Sequence, residues 1–215
     1  MTRALGIDIG GSKIAAGIVD EHGALEGPPL FVTTPAADGA DAVVAAVLDA
    51  ARAALGTSSA DAVGIGSAGT FDERGTVASA TGLLRGWTGT PLAELVSSAL
   101  GAPVIAINDV HAAAASEALV GAGTRFDSVL VVAVGTGVGG AIVRNGQVER
   151  GATGTAGSIG HVPGPGGREC SCGVADHIEP WVSGPGLERS FFEADGEALP
   201  LREIAALAAA GDELA

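Results

Sequence analysis

The sequence predicts an α/β protein made of two similar halves, and three observations predict it. Short alternating apolar runs closed by glycines are interleaved with stretches whose apolar residues repeat at helical spacing. A glycine-rich turn follows a strand-like segment in each half, at Gly6–Lys13 and again at Gly135–Gly140. Apolar residues make up 47% of the 215 positions and charged residues 17%, enough for one large core or two small ones and too apolar for a disordered chain.

The elements follow in order. Ala4 to Ile9 alternates as a strand, Gly10-Gly11-Ser12 turns, and Ile14 to Val19 is a second strand closed by Asp20-Glu21-His22-Gly23; a third is expected at Leu30 to Thr34. Asp38 to Leu55 places Val43, Val44, Val47, Leu48, Ala51 and Leu55 on one helical face, and Gly56 stops it. Ala62 to Ile65 is a short buried strand. Thr90 then reads as an N-cap with Pro91 in the first helical position, Gly101 as the stop, and Pro103 to Ile107 as another strand. An alanine-rich helix is expected from Asp109 to Val120, followed by Ser128 to Val134, apolar enough for a strand buried on both faces. Ala141 to Val143 and Gln147 to Glu149 flank Asn145-Gly146, the signature of a hairpin with a primed turn. The glycine-rich stretch 151–177 suits an ordered functional loop, and helices are expected at about Pro185 to Glu193 and Leu201 to Ala209. The last residues are compatible with helix and carry no stop signal, so a truncated domain is expected.

Charge and cysteine usage exclude several classes. Eleven basic against 25 acidic residues leave a net charge of −14, which repels phosphate backbones and anionic membrane surfaces. No apolar run reaches the length of a membrane span, and no signal-peptide pattern opens the chain. Cys170 and Cys172 are too close for an unstrained bridge and too few for a disulfide scaffold, so a cytoplasmic location is expected.

Gly6-Ile7-Asp8-Ile9-Gly10-Gly11-Ser12-Lys13 nearly matches the Walker loop, but its last two residues are reversed and a strand follows where that motif needs a helix. What remains is a turn in which Gly10 and Gly11 let backbone N–H groups approach phosphate, Ser12 and Lys13 add a hydroxyl and a cation, and Asp8 can hold Mg²⁺ through water. An ordinary hairpin reads equally well from this segment alone. Gly135-Thr136-Gly137-Val138-Gly139-Gly140 fits the dinucleotide fingerprint, yet a hairpin follows it instead of the required helix, which rules out a Rossmann site. Two such hairpins are better explained by a nucleotide clamped between two similar domains. His161, Cys170, Cys172 and His177 offer four nitrogen and sulfur ligands, the number a closed zinc site needs; two buried thiols and surface histidines are the alternative.

Taken together these residues resemble the ROK family of bacterial sugar kinases and repressors, from Leu5 to Leu187. The resemblance is carried by GIDIGGSK, the Asn108-Asp109 pair, GTGVGG, and the segment running from Gly157-Ser158-Ile159-Gly160-His161 through Cys170-Ser171-Cys172-Gly173 to His177-Ile178-Glu179. It implies an actin-like (ribonuclease H-like) two-domain ATPase fold. The expected halves are an N-terminal phosphate- and sugar-binding domain over 1–107 and a C-terminal domain with the zinc loop over 108–215, apparently incomplete. It also implies ATP with Mg²⁺, a structural zinc, a sugar substrate and a homodimer.

By the same resemblance Asp109 is the catalytic base, with an N-cap aspartate as the plainer alternative. Ala68, Gly69, Thr81, Asn108, Ser158, His161 and Glu179 fall at sugar-contacting positions, and Gly135, Thr136 and Gly137 join Asp8 and Gly10–Lys13 at the nucleotide. For Ala68 and Thr81 an ordinary turn residue reads nearly as well. The family's zinc motif has His and three Cys, and His177 replaces the third Cys. Ser158 stands where most members have a Glu; some N-acetylmannosamine kinases resemble this chain in lacking it. A ROK-type regulator is the competing expectation, together with an inactive sugar-binding protein. Only four residues precede Leu5 where such regulators carry a helix-turn-helix domain, which favours a kinase.

Overall fold

The structure is a computed structural model that describes Arg3–Ala215. The chain forms two compact units: one runs up to Val129 and takes in Ile142–Ala156, the other comprises Leu130–Ala141 and Gly157–Ala215. The 107/108 boundary expected from sequence falls inside the first.

The first unit is organised by a five-stranded sheet in the order β3-β2-β1-β4-β7, made of β1 (Ala4–Ile9), β2 (Lys13–Val19), β3 (Leu30–Thr33), β4 (Ala62–Ser67) and β7 (Val104–Asn108). β1–β2 and β2–β3 are antiparallel; β1–β4 and β4–β7 are parallel. This mixed order is the ribonuclease H-like arrangement implied by the resemblance. Period-two alternation explains β1, whose Leu5, Ile7 and Ile9 are all buried. Helical periodicity explains α1 (Ala40–Leu55), which buries Val43, Val44, Val47, Ala50 and Ala51 and ends at Gly56. α2 (Leu92–Leu100) begins one residue later than expected, with Pro91 at the cap and no side-chain cap hydrogen bond from Thr90. A small hairpin of β5 (Thr70–Phe71) and β6 (Val77–Ser79) was not foreseen, because its strands are too short to show a period.

Parallel pairing aligns the carboxyl ends of three strands, since Ile9 pairs with Ser67 and Ser67 with Asn108. Ligands of open α/β sheets gather at such ends. Beside them, Trp87 is almost fully buried and donates its Nε1–H to the buried Ser67 hydroxyl at 3.2 Å, tying the 80–90 loop to β4. Trp87→Phe removes that donor and leaves a gap beside Ser67. It is expected to cost about 1–3 kcal/mol, read as a lower midpoint in urea; an unchanged midpoint would show that the loop is held by other contacts.

α3 (Asp109–Leu119) leaves β7 directly. A three-stranded sheet has the order β10-β9-β8, from β8 (Ser128–Val134), β9 (Val138–Arg144) and β10 (Gln147–Val148). Asn145 and Gly146 both have positive φ, 51° and 75°, as a primed turn requires. β8 corrects the expectation of two-sided burial. It lies at the sheet edge, and Leu130, Val132 and Val134 are exposed, because the described residues put no layer on that face. The second unit also holds a 3₁₀ turn (Ile159–His161), α4 (Glu179–Val182), α5 (Gly184–Asp195) and α6 (Leu201–Ala209). Among the described residues no helix is long and apolar enough to cross a membrane.

Candidate functional site

In the first unit the strand ends bring together Asp8, Ala68-Gly69 and Asn108-Asp109. The cap of α3 is Asn108, not Asp109. Its Oδ1 accepts from the N–H groups of Val110 (3.0 Å) and His111 (3.2 Å), while Nδ2 donates to the Gly69 carbonyl at 3.0 Å. One side chain thus satisfies the helix start and fixes the loop after β4, leaving one amide N–H for a ligand. Asp109 is the first helical residue; its Oδ1 accepts from Val110 at 2.9 Å, and no hydrogen bond within the described residues engages Oδ2.

Gly69 has φ +108°, and a Cβ there would meet the Ser79 carbonyl and Ala80, so this turn demands glycine. At Gly66 a Cβ would meet the Asp109 Cα and the Ala112 Cβ at 3.4 Å, ordinary contact distances that show how directly α3 lies against β4. Desolvation at the strand ends raises the Asp8 carboxyl above its ordinary range, the Asp109 charge raises it further, and Lys13 opposes both.

At the first glycine turn, Gly10 donates its N–H to the Lys13 carbonyl at 3.0 Å and accepts from the Thr34 hydroxyl at 2.7 Å. Gly11 lies against Leu83, which a Cβ would displace; Ser12 and Lys13 are exposed, and the Lys13 ammonium stands 4.9 Å from the Phe31 ring centre. Thr81 is exposed in the 80–90 loop without a described contact to the other candidates. Sequence reasoning missed His111 and Arg150. His111 is buried two residues after Asp109, and burial lowers its pKa against a hydrogen bond with the Ala156 backbone. Arg150 donates to the Phe71 carbonyl at 2.6 Å, bracing the start of the glycine-rich loop.

The second unit gathers the remaining candidates. His161, Cys170, Cys172 and His177 present ligand atoms that all lie within 4.8 Å of one another. Nδ1 of His161 and of His177 are 3.3 Å apart, Cys170 Sγ is 3.6 Å from His161 Nδ1, and Cys172 Sγ is 3.4 Å from His177 Nδ1. Bond lengths of about 2.0 Å to nitrogen and 2.3 Å to sulfur put the corners of a tetrahedral zinc site roughly 3.3–3.8 Å apart. Three of the six spacings fall in that range and all lie within 4.8 Å, so the four side chains have the chemistry of a metal site and lie close enough to gather around one ion. The Cys170 thiol, pushed up to about 11 first by burial, must lose its proton to become a ligand.

Arg168 anchors this loop and carries no sequence signal, since a lone arginine among glycines reads as solvated. Its side chain is 2% exposed, its guanidinium lies 3.8 Å from the Trp181 ring centre, and it donates to the carbonyls of Pro180 (2.9 Å) and Gly186 (3.2 Å) and to Glu193 (2.6 Å). Glu179 opens α4 beside the four candidate metal ligands. Burial raises its pKa, but hydrogen bonds from Ser171, Val138 and Cys170 outweigh this and hold the carboxyl below its ordinary value. Ser158 precedes the 3₁₀ turn and accepts the His161 N–H at 3.1 Å. Gly135 donates to the Gly137 carbonyl at 2.9 Å, closing a tight turn with Thr136 exposed at its tip.

A family model described as the ROK family matches residues 4–215. A glucokinase of Streptomyces coelicolor is 38% identical over 191 residues, which are 88% of this chain and 59% of that protein. An N-acetylmannosamine kinase of Shigella boydii is 35% identical over 214 residues, 98% of this chain and 71% of that protein. Among solved structures, a ROK family glucokinase from Streptomyces griseus in complex with glucose and AMPPNP superposes with TM-score 0.82 at 35% identity, covering 99% of this chain and 72% of that one. A ROK hexokinase from Thermus thermophilus gives TM-score 0.82 at 34% identity, covering 99% and 70%. The chain thus spans 59% of the length of the Streptomyces coelicolor glucokinase it matches.

Proposed function

The chain belongs to the ROK family and has the actin-like ATPase fold, and from that membership we propose that it serves ATP-dependent phosphorylation of a hexose or N-acylhexosamine hydroxyl. The observation that carries this reading is the pairing, at adjoining strand ends, of a carboxylate with an unengaged oxygen, Asp109, and an amide side chain with one N–H to spare, Asn108. Asn108 donates to a sugar oxygen and orients it. The Asp109 carboxylate takes the proton from the attacking hydroxyl, whose oxygen bonds to the γ-phosphorus as the bond to the ADP oxygen breaks. Gly10 and Gly135 close the two turns, and backbone N–H groups of Gly11, Ser12, Thr136 and Gly137, with Lys13 and the Thr136 hydroxyl, hold phosphate oxygens. Asp8 fits a magnesium ion held through water, which would balance the phosphate charge.

The same reading assigns zinc to His161, Cys170, Cys172 and His177. With all four positions filled by protein the ion shapes the sugar loop and activates no water. Ala68, Gly69, Thr81, Ser158, His161 and Glu179 complete the sugar contacts in this proposal, and Ser158 sets substrate choice. A Glu there would crowd and charge the wall beside the metal loop, whereas Ser leaves space for a 2-acetamido group. One contact of this kind is worth roughly 10–200-fold.

The test compares sugar-dependent ADP formation as kcat/KM for glucose, N-acetylglucosamine and N-acetylmannosamine in the parent and in Ser158→Glu. The parent is expected to favour an acetamido sugar and the variant to shift towards glucose. Glucose preferred by both would remove position 158 from specificity. Sugar binding by calorimetry without any turnover would return the protein to a sugar-sensing or inactive role.

A further inference from the structure

Glu179 divides its carboxylate between two segments far apart in sequence. Oε1 accepts from the Ser171 hydroxyl at 2.6 Å and from the Cys170 thiol at 3.2 Å, both in the metal loop. Oε2 accepts the Val138 N–H at 3.0 Å, at the point where the glycine turn passes into β9. We infer that Glu179 is a positioning residue through which the metal loop holds the Gly135–Gly140 hairpin, so that metal occupancy orders a phosphate-binding turn. The inference rests on the metal-site and hairpin assignments of the proposed function.

Three further observations support it. A Cβ on Gly137 would sit 2.8 Å from Glu179 Oε2, so the glycine leaves the carboxylate room to stand over Val138 where a side chain would push it aside. Among the described residues the hairpin has one other comparable tie outside its own strands, from the Gly184 N–H to the Gly135 carbonyl at 2.8 Å; the two bonds bracket the tip, and losing either frees one side. Ser171, finally, lies between two metal ligands in a tight turn closed by Gly173 N–H to Cys170 carbonyl (2.9 Å) and Cys170 N–H to Val174 carbonyl (3.1 Å). Ligation of Cys170 and Cys172 therefore fixes where the Ser171 hydroxyl points.

The experiment is hydrogen exchange of the Val138 amide in the whole chain, zinc-loaded and after chelation, with zinc content measured on the same samples and the Val63 amide of β4 as internal reference. Chelation is expected to speed Val138 exchange at least tenfold relative to Val63. Exposed Ser171→Ala is expected to retain zinc yet show much of that acceleration while loaded. Glu179→Ala should abolish the difference between loaded and chelated protein, and Glu179→Gln, whose amide oxygen still accepts from Val138, should restore part of the protection. Stoichiometric zinc with Val138 exchange unaffected by chelation or by Ser171→Ala overturns the coupling and leaves the metal site standing. Absence of bound zinc overturns the metal-site assignment and the coupling with it.

Discussion

Asp109→Asn is expected to lower kcat by ~10² or more while sugar affinity stays within a few-fold. The substitution keeps the shape and hydrogen-bonding reach of a side chain whose Oδ1 accepts the Val110 N–H. Capping of α3 is untouched because Asn108 supplies it. What is lost is an oxygen able to take the hydroxyl proton during attack on the γ-phosphorus. A second readout is independent of turnover. The Asp109 charge is one of the causes that hold the Asp8 carboxyl above its ordinary range, so neutralising it should move the Asp8 titration to lower pH. Near-normal turnover in Asp109→Asn would assign the base to another residue, whatever Asp8 does.

Purified without added metal, the chain is expected to carry one tightly held zinc, and chelation is expected to disorder the loop from Gly157 to His177. Beyond Arg168 and its own backbone hydrogen bonds, that loop packs few side chains. Most of its residues are exposed, Cys170 and Arg168 being among its few buried side chains, and glycine-rich backbone loses more conformational freedom on ordering than any other. Structural zinc contributes several kcal/mol to folding, and more where no preformed core exists. Cys172→Ser removes an exposed ligand with minimal repacking, so it should reproduce the effect of chelation while unit 1, with its own core, melts as before. Cobalt substitution gives a direct check, because a four-coordinate site with two thiolates has a characteristic visible spectrum. Substoichiometric metal, together with stability indifferent to chelation, would count decisively against the site.

Much of the fold was legible because period and punctuation agreed. The alternation of Ala4–Ile9 and the helical stripe before Gly56 each specify an element locally, and the structure places β1 and α1 there. Asn145-Gly146 likewise names its own turn. β8 was misread for the opposite reason: composition says how apolar a strand is, and only its place in the sheet says which neighbours cover it. The four candidate metal ligands could be singled out because soft donors are rare in this chain, and Asn108-Asp109 because the pair enters a helix straight from a strand.

Which side chains cooperate was not legible, since hydrogen bonds between distant segments leave no periodic trace. Sequence alone determined the α/β class, the two glycine turns and the four candidate metal ligands. Tertiary structure decided that Asn108 caps α3 in place of Asp109, that Arg168 is buried against Trp181, and that one carboxylate, Glu179, joins Val138 to Ser171. The physical reason is that a residue's type limits which bonds it can make, while the choice among them depends on which backbone groups folding leaves unsatisfied within about 3 Å of it.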